Sequence, residues 1–307
     1  MSESGHLLQG KVIVVTGAGG GVGEGIARLC AGQGASVVVN DLGGNTAGEG
    51  GDQKPADRVA QEINAAGGSA IANYADVSNR KAADGIIQDA LDAFGRVDGV
   101  VNNAGILRDS IFHKMEQSDW EAVLAVNLTG CFNLARAVIN HFKAQQNGAF
   151  VHMSSTSGLI GNFGQANYSA AKIGLVGLSK SIALDAQRYN VRSNCIAPFA
   201  WTRMVGTIPV ISPEQEARVE KLKQLLPEKI APFAVCLLSD QAKHVTGQVF
   251  GVRNNEIFLF SQPMPIRGMQ TSDGWTPETC IDRVLPAFEP AFHPLLRSGE
   301  VFSWNPV

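Results

Sequence analysis

The 307-residue chain has no cysteine motif. Its five cysteines, Cys30, Cys131, Cys195, Cys236 and Cys280, are dispersed, with neither a CxxC pair nor a metal-ligand spacing. An odd, scattered set excludes a full disulfide framework and fits a reducing compartment. Such residues are ordinarily small core side chains, and no metal is expected. The chain also lacks an excess of one charge: 25 Lys and Arg against 28 Asp and Glu leave a net charge of −3. So mild a balance sets up no global field for nucleic acid or an anionic membrane, and neither partner is expected. MSESGHLLQG lacks the basic, apolar and small-residue blocks of a secretory signal, and SWNPV is not a peroxisomal tripeptide. No apolar run is read as approaching the ~20 residues of a membrane helix. The expectation is a cytoplasmic protein.

What is present is a globular composition, 45% hydrophobic and 17% charged, in a regular alternation. KVIVVTG (11–17) reads as a buried strand, 21–33 as a helix and ASVVVND (35–41) as a second strand. Helices follow near 55–66 and 79–94, with a strand near 69–75 between them. Further strands are read within 96–105, at 148–155, at 190–198 and near 246–252; helices are read at 118–145, 167–189 and near 212–240. Strands this apolar, joined by crossover helices, predict a parallel, doubly wound sheet covered on both faces. Residues 43–54 are a Gly-rich stretch without periodicity, expected as an exposed, mobile loop. The alternation ends near 253. Residues 1–252 are read as one Rossmann-type α/β domain and 253–307 as a C-terminal extension packing on it.

TGAGGGVGEG (16–25) joins the first strand to the first helix. Gly17, Gly21 and Gly23 allow a sharp turn and close backbone approach to a pyrophosphate, which the helix N-terminus favours. A glycine cluster alone is only a tight turn; its place in the first βα unit gives it weight. Asp41 ends the second strand, where an acid accepts hydrogen bonds from an adenosine ribose and repels the 2′-phosphate of NADP. No Arg or Lys stands at 40–45, so NAD is the expected cofactor. Asp76, ending the third strand, is with Val77 a candidate for the adenine. NNAG (102–105), which could also be an ordinary Asn/Gly turn, puts Asn103, Ala104 and Gly105 beside the cofactor.

Ser154 and Ser155 end the fifth strand; Tyr168 and Lys172 follow one helical turn apart on the next helix. Taken alone, such a pair is an ordinary solvated helix face. At the carboxyl ends of the strands it gains a chemical meaning. Oxidising a secondary alcohol removes a hydride from carbon and a proton from oxygen, and the protein must take the proton. Tyr168 is the candidate base. Lys172 is expected to lower its pKa and hold the nicotinamide ribose. Ser155 is assigned the substrate oxygen, and Asn127, in the long preceding helix, a water relay to Lys172.

TGAGGGVG, NNAG, Asn127, Ser155 and Tyr168-Ser-Ala-Ala-Lys172, in this order over roughly residues 8–250, resemble the short-chain dehydrogenase/reductase family. The resemblance implies a seven-stranded parallel Rossmann sheet and NAD(P) binding. It also implies the four catalytic roles above and a homodimer or homotetramer built on the helices at 118–145 and 167–189. By the same resemblance Gly19, Val22 and Leu42 join the cofactor contacts, as do Pro198 and Thr202. The usual Pro-Gly after the sixth strand is replaced by Pro198-Phe199-Ala200-Trp201-Thr202.

A narrower resemblance rests on VVVNDLGG, VVNNAGILRD and GNFGQANYSAAK. These segments look like the (3R)-hydroxyacyl-CoA dehydrogenase units of peroxisomal multifunctional enzymes of type 2, also called 17β-hydroxysteroid dehydrogenase type 4, and of their bacterial stand-alone relatives. They imply oxidation of a (3R)-3-hydroxyacyl-CoA to the 3-ketoacyl-CoA, in fatty-acid or steroid side-chain β-oxidation. A free hydroxysteroid substrate and a non-catalytic NAD sensor stand as alternatives. Met204, Val205, Ile208, Val210 and Ile211 form an apolar lid-like stretch. Phe112 and Phe163 are placed near the cleft, and Arg203, Lys221 and Lys223 are candidates for CoA phosphates.

Overall fold

The computed structural model describes residues 6–201, 219–220 and 222–305. Seven parallel strands form the body of the sheet: β1 (Val12–Thr16), β2 (Ser36–Asn40), β3 (Ser69–Asn73), β4 (Gly99–Asn102), β5 (Gly148–Met153), β6 (Val191–Phe199) and β7 (Val249–Arg253). An eighth, β8 (Glu256–Leu259), runs antiparallel to β7, and the order is β3-β2-β1-β4-β5-β6-β7-β8. The seven-stranded expectation therefore gains an antiparallel edge. Asn254 and Asn255 form the two-residue hairpin loop, with Asn254 at a φ of 54°. Such loops favour residues that tolerate positive φ.

Side chains on successive strand residues face opposite sides, and this period of two divides the core. Ile13, Val15, Val37, Val39, Val101 and Val151 face one layer, built on α1 (Gly21–Gly32), α2 (Lys54–Ala65) and the helix Ala231–Leu238. Val12, Val14, Val38, Val100 and Phe150 face the other, built on α3 (Arg80–Phe94) and α5 (Gly130–Gln145). Strand order reverses at β1, whose neighbours β2 and β4 belong to different halves. A crevice opens at the carboxyl ends of the strands there.

The helix expected at 118–145 is continuous but not uniform. α4 (Gln117–Leu124) passes through a π-helical turn, Ala125–Thr129, into α5. A π turn adds a residue to the local ring, and such bulges are often found at functional sites; this one carries Asn127. Gln117–Gln145, at 29 residues and with an 18-residue stretch of mean hydropathy 1.6, is also by length and composition long and apolar enough to cross a membrane. The sequence reading passed over this run. Its apolar residues Leu134, Val138 and Phe142 are buried in the second core layer.

Phe302 and Trp304, near the end of the chain, pack on the β7–β8 edge. Phe302 stacks edge-on to Phe199 and Phe258, with centroids 4.7 and 5.1 Å away. Arg253 donates to the Trp304 carbonyl, and Trp304 Nε1 donates to Glu256 at 2.6 Å.

Close packing gives one direct prediction. A Cβ added at Gly148 would fall 2.2 Å from the Phe142 ring, and both residues lie in the core. Gly148→Ala should cost about 1–3 kcal/mol by overpacking, read as a lower urea midpoint with unchanged m.

Candidate active site

The β1–α1 connection turns at Gly17 and Gly21, with φ of 62° and 57°. Gly23 has no room for a side chain: a Cβ there would lie 2.2 Å from the Gly17 carbonyl oxygen. Gly20 caps α1 without a side-chain hydrogen bond, leaving the first helical N–H groups available to an anion. The loop is braced from β4. Asn103 Nδ2 donates to the Thr16 and Gly17 carbonyls at 2.9 and 3.0 Å, and the Ala104 amide donates to Thr16 Oγ1.

Asp41 follows β2 and fastens two loops at once. Its Oδ2 accepts from the Gly19 amide at 2.8 Å and its Oδ1 from the Gly43 amide at 2.7 Å. A carboxylate has further acceptor capacity for a ribose. Asp76 lies three residues beyond the end of β3 rather than on it, and its Oδ1 accepts from the Ser78 amide. Packing brings a cation near the loop that the window 40–45 could not show. Arg58 Nη2 donates to the Gly19 carbonyl, and the guanidinium pairs with Glu24 at 2.6 Å.

Residues 43–54 form a loop that is exposed over 48–54, as expected, and that is also fastened to the cleft. The Leu107 amide donates to the Thr46 carbonyl, and Arg108 Nε donates to the Ala47 carbonyl, both at 2.9 Å. The stretch thus folds across the cleft, and Gly44, Asn45, Thr46 and Gly48 form part of its wall.

Across the crevice, β5 delivers Ser154 and Ser155, and α7 (Ala166–Ala186) delivers Tyr168 and Lys172. Ser154 Oγ donates to the Lys172 carbonyl at 2.8 Å, locking strand to helix. Ser155 caps the short helix α6 (Thr156–Leu159), accepting from the Ser157 amide at 3.1 Å. Lys172 Nζ donates to the Met153 carbonyl at 2.7 Å and stands 5.5 Å from the centre of the Tyr168 ring. Asn127 is fully buried; its side chain accepts from the Ile106 amide at 2.8 Å and donates to the Ile106 carbonyl at 3.0 Å. It thereby holds the segment that follows NNAG.

These groups surround one cavity of about 500 Å³. Of the expected residues, Gly17, Gly21, Val22, Asp41, Leu42, Asp76, Val77, Asn103, Ala104, Gly105, Ser155, Tyr168, Lys172 and Pro198 line it. Gly19, Gly23 and Asn127 stand behind the wall. Thr202, the lid-like residues Met204, Val205, Ile208, Val210 and Ile211, and Arg203 and Lys221 lie outside the described residues. Lys223 is on the surface, paired with Glu220 at 2.6 Å. Phe112 and Phe163 are each 77% exposed and border a second, solvent-open hollow, which meets the cleft at Ser157, Asn162 and Gln165.

Burial governs the site's electrostatics. It pushes the Tyr168 phenol up to about 12; the Ser155 hydroxyl draws it down and Asp109 adds to the rise. Burial also lowers the Lys172 ammonium, which nearby thiols partly restore. The lowering expected from Lys172 is therefore not what the protein alone produces, because burial of the phenol outweighs it. Asp109, Gln165, Ser157 and Asn162 also line the cleft and were missed. GQAN, with its amide ahead of a helix, and Asp109 after NNAG were the available signals.

A doubly wound sheet with a glycine loop at its switch point, faced by Ser155, Tyr168 and Lys172, defines a Rossmann-fold oxidoreductase acting on CH–OH groups. The chain belongs to the short-chain dehydrogenase family, whose model matches residues 11–208. It is 50% identical over 234 residues to a short-chain type dehydrogenase/reductase of Mycobacterium tuberculosis, covering 76% of this chain and 79% of that protein. It is 45% identical over 240 residues to mouse peroxisomal multifunctional enzyme type 2, covering 78% of this chain and 31% of that protein. A crystal structure of a short chain dehydrogenase from Mycobacterium avium superposes with a TM-score of 0.82 at 35% identity, covering 95% of this chain and 98% of that one. The family uses a nicotinamide nucleotide. The fit is physical: Gly17 and Gly23 leave the loop backbone bare, and Asp41 stands beside that loop on the cavity wall.

Proposed function

We propose that the chain oxidises the alcohol of a (3R)-3-hydroxyacyl-CoA to the 3-ketoacyl-CoA with NAD. The observation that carries this reading is the convergence of Ser155, Tyr168 and Lys172 on one wall of the cleft, opposite the glycine loop and Asp41. NAD, when bound, supplies the hydride acceptor. The glycine loop holds its pyrophosphate, Asp41 its adenosine ribose and Lys172 its nicotinamide ribose. Ser155 orients the substrate oxygen, and Tyr168 takes its proton through the phenol oxygen. A phenol raised by burial is a reluctant base in the protein alone; a positive nicotinamide ring beside it favours the phenolate. Asn127 positions Lys172 through a water and the Ile106 backbone.

The choice of substrate is supported by the relatives. Alongside the mouse enzyme, the chain is 47% identical over 240 residues to the peroxisomal hydratase-dehydrogenase-epimerase of Saccharomyces cerevisiae, covering 78% of this chain and 25% of that protein. Exposed Phe132 on α5 and Ile173 and Leu184 on α7 support reading these helices as a subunit interface.

Purified protein should form NADH from (R)-3-hydroxyacyl-CoAs and not from their (S)-isomers. NADP should be roughly 100-fold less efficient, because like charges at Asp41 and the 2′-phosphate repel at short range. Turnover confined to free hydroxysteroids would sink the acyl-CoA reading, and NAD binding without any turnover would leave a sensor. Comparable efficiency with NADP would remove the role given to Asp41.

A further inference from the structure

Asp109 lines the cleft together with Ser155 and Tyr168, and the catalytic scheme above makes no use of it. A polar chain leads from it to the reacting centre. Gln165 Nε2 donates to Asp109 Oδ2 at 2.8 Å, and Ser157 Oγ donates to Gln165 Oε1 at 2.8 Å. The Ser157 amide then donates to Ser155 Oγ at 3.1 Å. Among the described residues the hydrogen-bond partner of the Asp109 carboxylate, Gln165, is neutral.

The neighbouring cations are engaged elsewhere. Arg108 is turned to the Ala47 carbonyl and to Asp119. Lys172 is turned to the Met153 carbonyl, and Arg297 is paired with Glu300 at 2.9 Å. Among the described residues Asp109 makes no ion pair. It is thus, among the described residues, a carboxylate without a counter-charge, in the same cleft as the residues that meet the alcohol. Enclosure in the cleft raises its carboxyl, which also acts on the Tyr168 phenol.

We propose that Asp109 determines specificity by charge: it excludes substrates carrying a free carboxylate two carbons from the reacting carbinol, so that a 3-hydroxyacyl group enters as an uncharged thioester and not as the free acid. In a 3-hydroxyacyl compound the acyl carbon is two carbons from the carbinol. A free carboxylate there would enter the cleft that Asp109 lines, where like charges repel. The thioester carbonyl carries no charge and can instead accept from a neutral donor such as the Gln165 amide. The inference deepens the acyl-CoA reading and rests on it for the identity of the uncharged substrate.

The test compares kcat/KM for (R)-3-hydroxybutyryl-CoA, methyl (R)-3-hydroxybutyrate and (R)-3-hydroxybutyrate in the wild type, Asp109→Asn and Asp109→Glu. Asparagine keeps an acceptor for Gln165 and removes the charge, so the fold and NADH binding should be retained. Asp109→Asn should raise activity on the free acid relative to the methyl ester by roughly 10- to 100-fold, the scale of one short-range repulsion. Asp109→Glu should keep the wild-type ratio. With the ester as substrate, the rising limb of the Asp109→Asn pH profile should also move to lower pH, since Tyr168 loses a nearby negative charge while Lys172 stays in place. An unchanged ester-to-acid ratio in Asp109→Asn, or an equal loss on both substrates, overturns the proposal. Turnover of the ester with none of the thioester instead overturns the acyl-CoA reading and leaves the charge comparison intact.

Discussion

Tyr168→Phe is expected to cut turnover by about 10²–10⁴, the usual contribution of a positioned acid–base group, while NADH still binds. The substitution removes one oxygen from a ring that is otherwise packed beside α4 and the NNAG segment. Phenylalanine keeps that packing, so stability should change little. The glycine loop and Asp41 lie on the opposite wall of the cleft, and their backbone geometry does not depend on the phenol. The pH profile separates this role from a structural one. In the wild type, oxidation should accelerate as pH rises, because burial holds the phenol above its ordinary value and the base is its deprotonated form. In Tyr168→Phe that limb should disappear. Full activity in the variant, or an unchanged pH profile, would reject Tyr168 as the base.

The second large effect concerns acid stability and His152. This residue lies on β5, one position ahead of the Met153 carbonyl that holds Lys172. It is fully buried, stacked on Phe150 at 5.8 Å, and bonded to Asn102 and to Ser193 at 3.1 Å each. Ser193 in turn meets Ser179 at 2.8 Å. Burial, with a smaller push from the Lys172 ammonium, takes the imidazole down from 6.5 to about 4.

The unfolded chain therefore takes up a proton below pH 6.5 that the folded chain refuses until about pH 4. The contribution is fully present above the unfolded value and is lost as pH falls towards the folded one. Across that window the loss amounts to about 3 kcal/mol. Urea unfolding at pH 7, 5.5 and 4 checks it, with His152→Gln as the reference. The wild type should be the more stable at pH 7, and its advantage should shrink by about 3 kcal/mol by pH 4. Parallel losses in the two proteins would show that His152 does not carry the effect.

Both predictions begin from residues whose standing differed greatly in the sequence. Tyr168 was legible because its meaning lies in local spacing and order: one turn from Lys172, after a strand ending in serines, behind a glycine loop. His152 was not legible. A lone histidine in an apolar strand carries no pattern, and its partners Asn102, Ser179 and Ser193 come from three other elements. Asp41 stood between these cases. Its place after β2 could be read, but its hold on the Gly19 and Gly43 amides required the folded loop. The cation beside that loop, Arg58, escaped a search confined to neighbours in sequence because α2 brings it there. The part that residues 43–54 play in the cleft was hidden for a related reason. Their composition announces a loop, but only the docking of Thr46 and Ala47 on Leu107 and Arg108 shows that the loop roofs the cleft.

The sequence by itself determined the doubly wound sheet, because hydrophobic period and glycine chemistry are local and each strand carries its own burial pattern. It also determined the cofactor loop and the Ser155, Tyr168 and Lys172 constellation, since these follow from strand ends and helical turns. Only the tertiary structure decided the antiparallel eighth strand, the π turn that seats Asn127 against Ile106, and the burial that sets the charge state of Tyr168 and Lys172. It alone brought Asp109 to the wall of the cleft. Desolvation and unpaired charge depend on everything that packs around a group, and no single stretch of the chain contains that information.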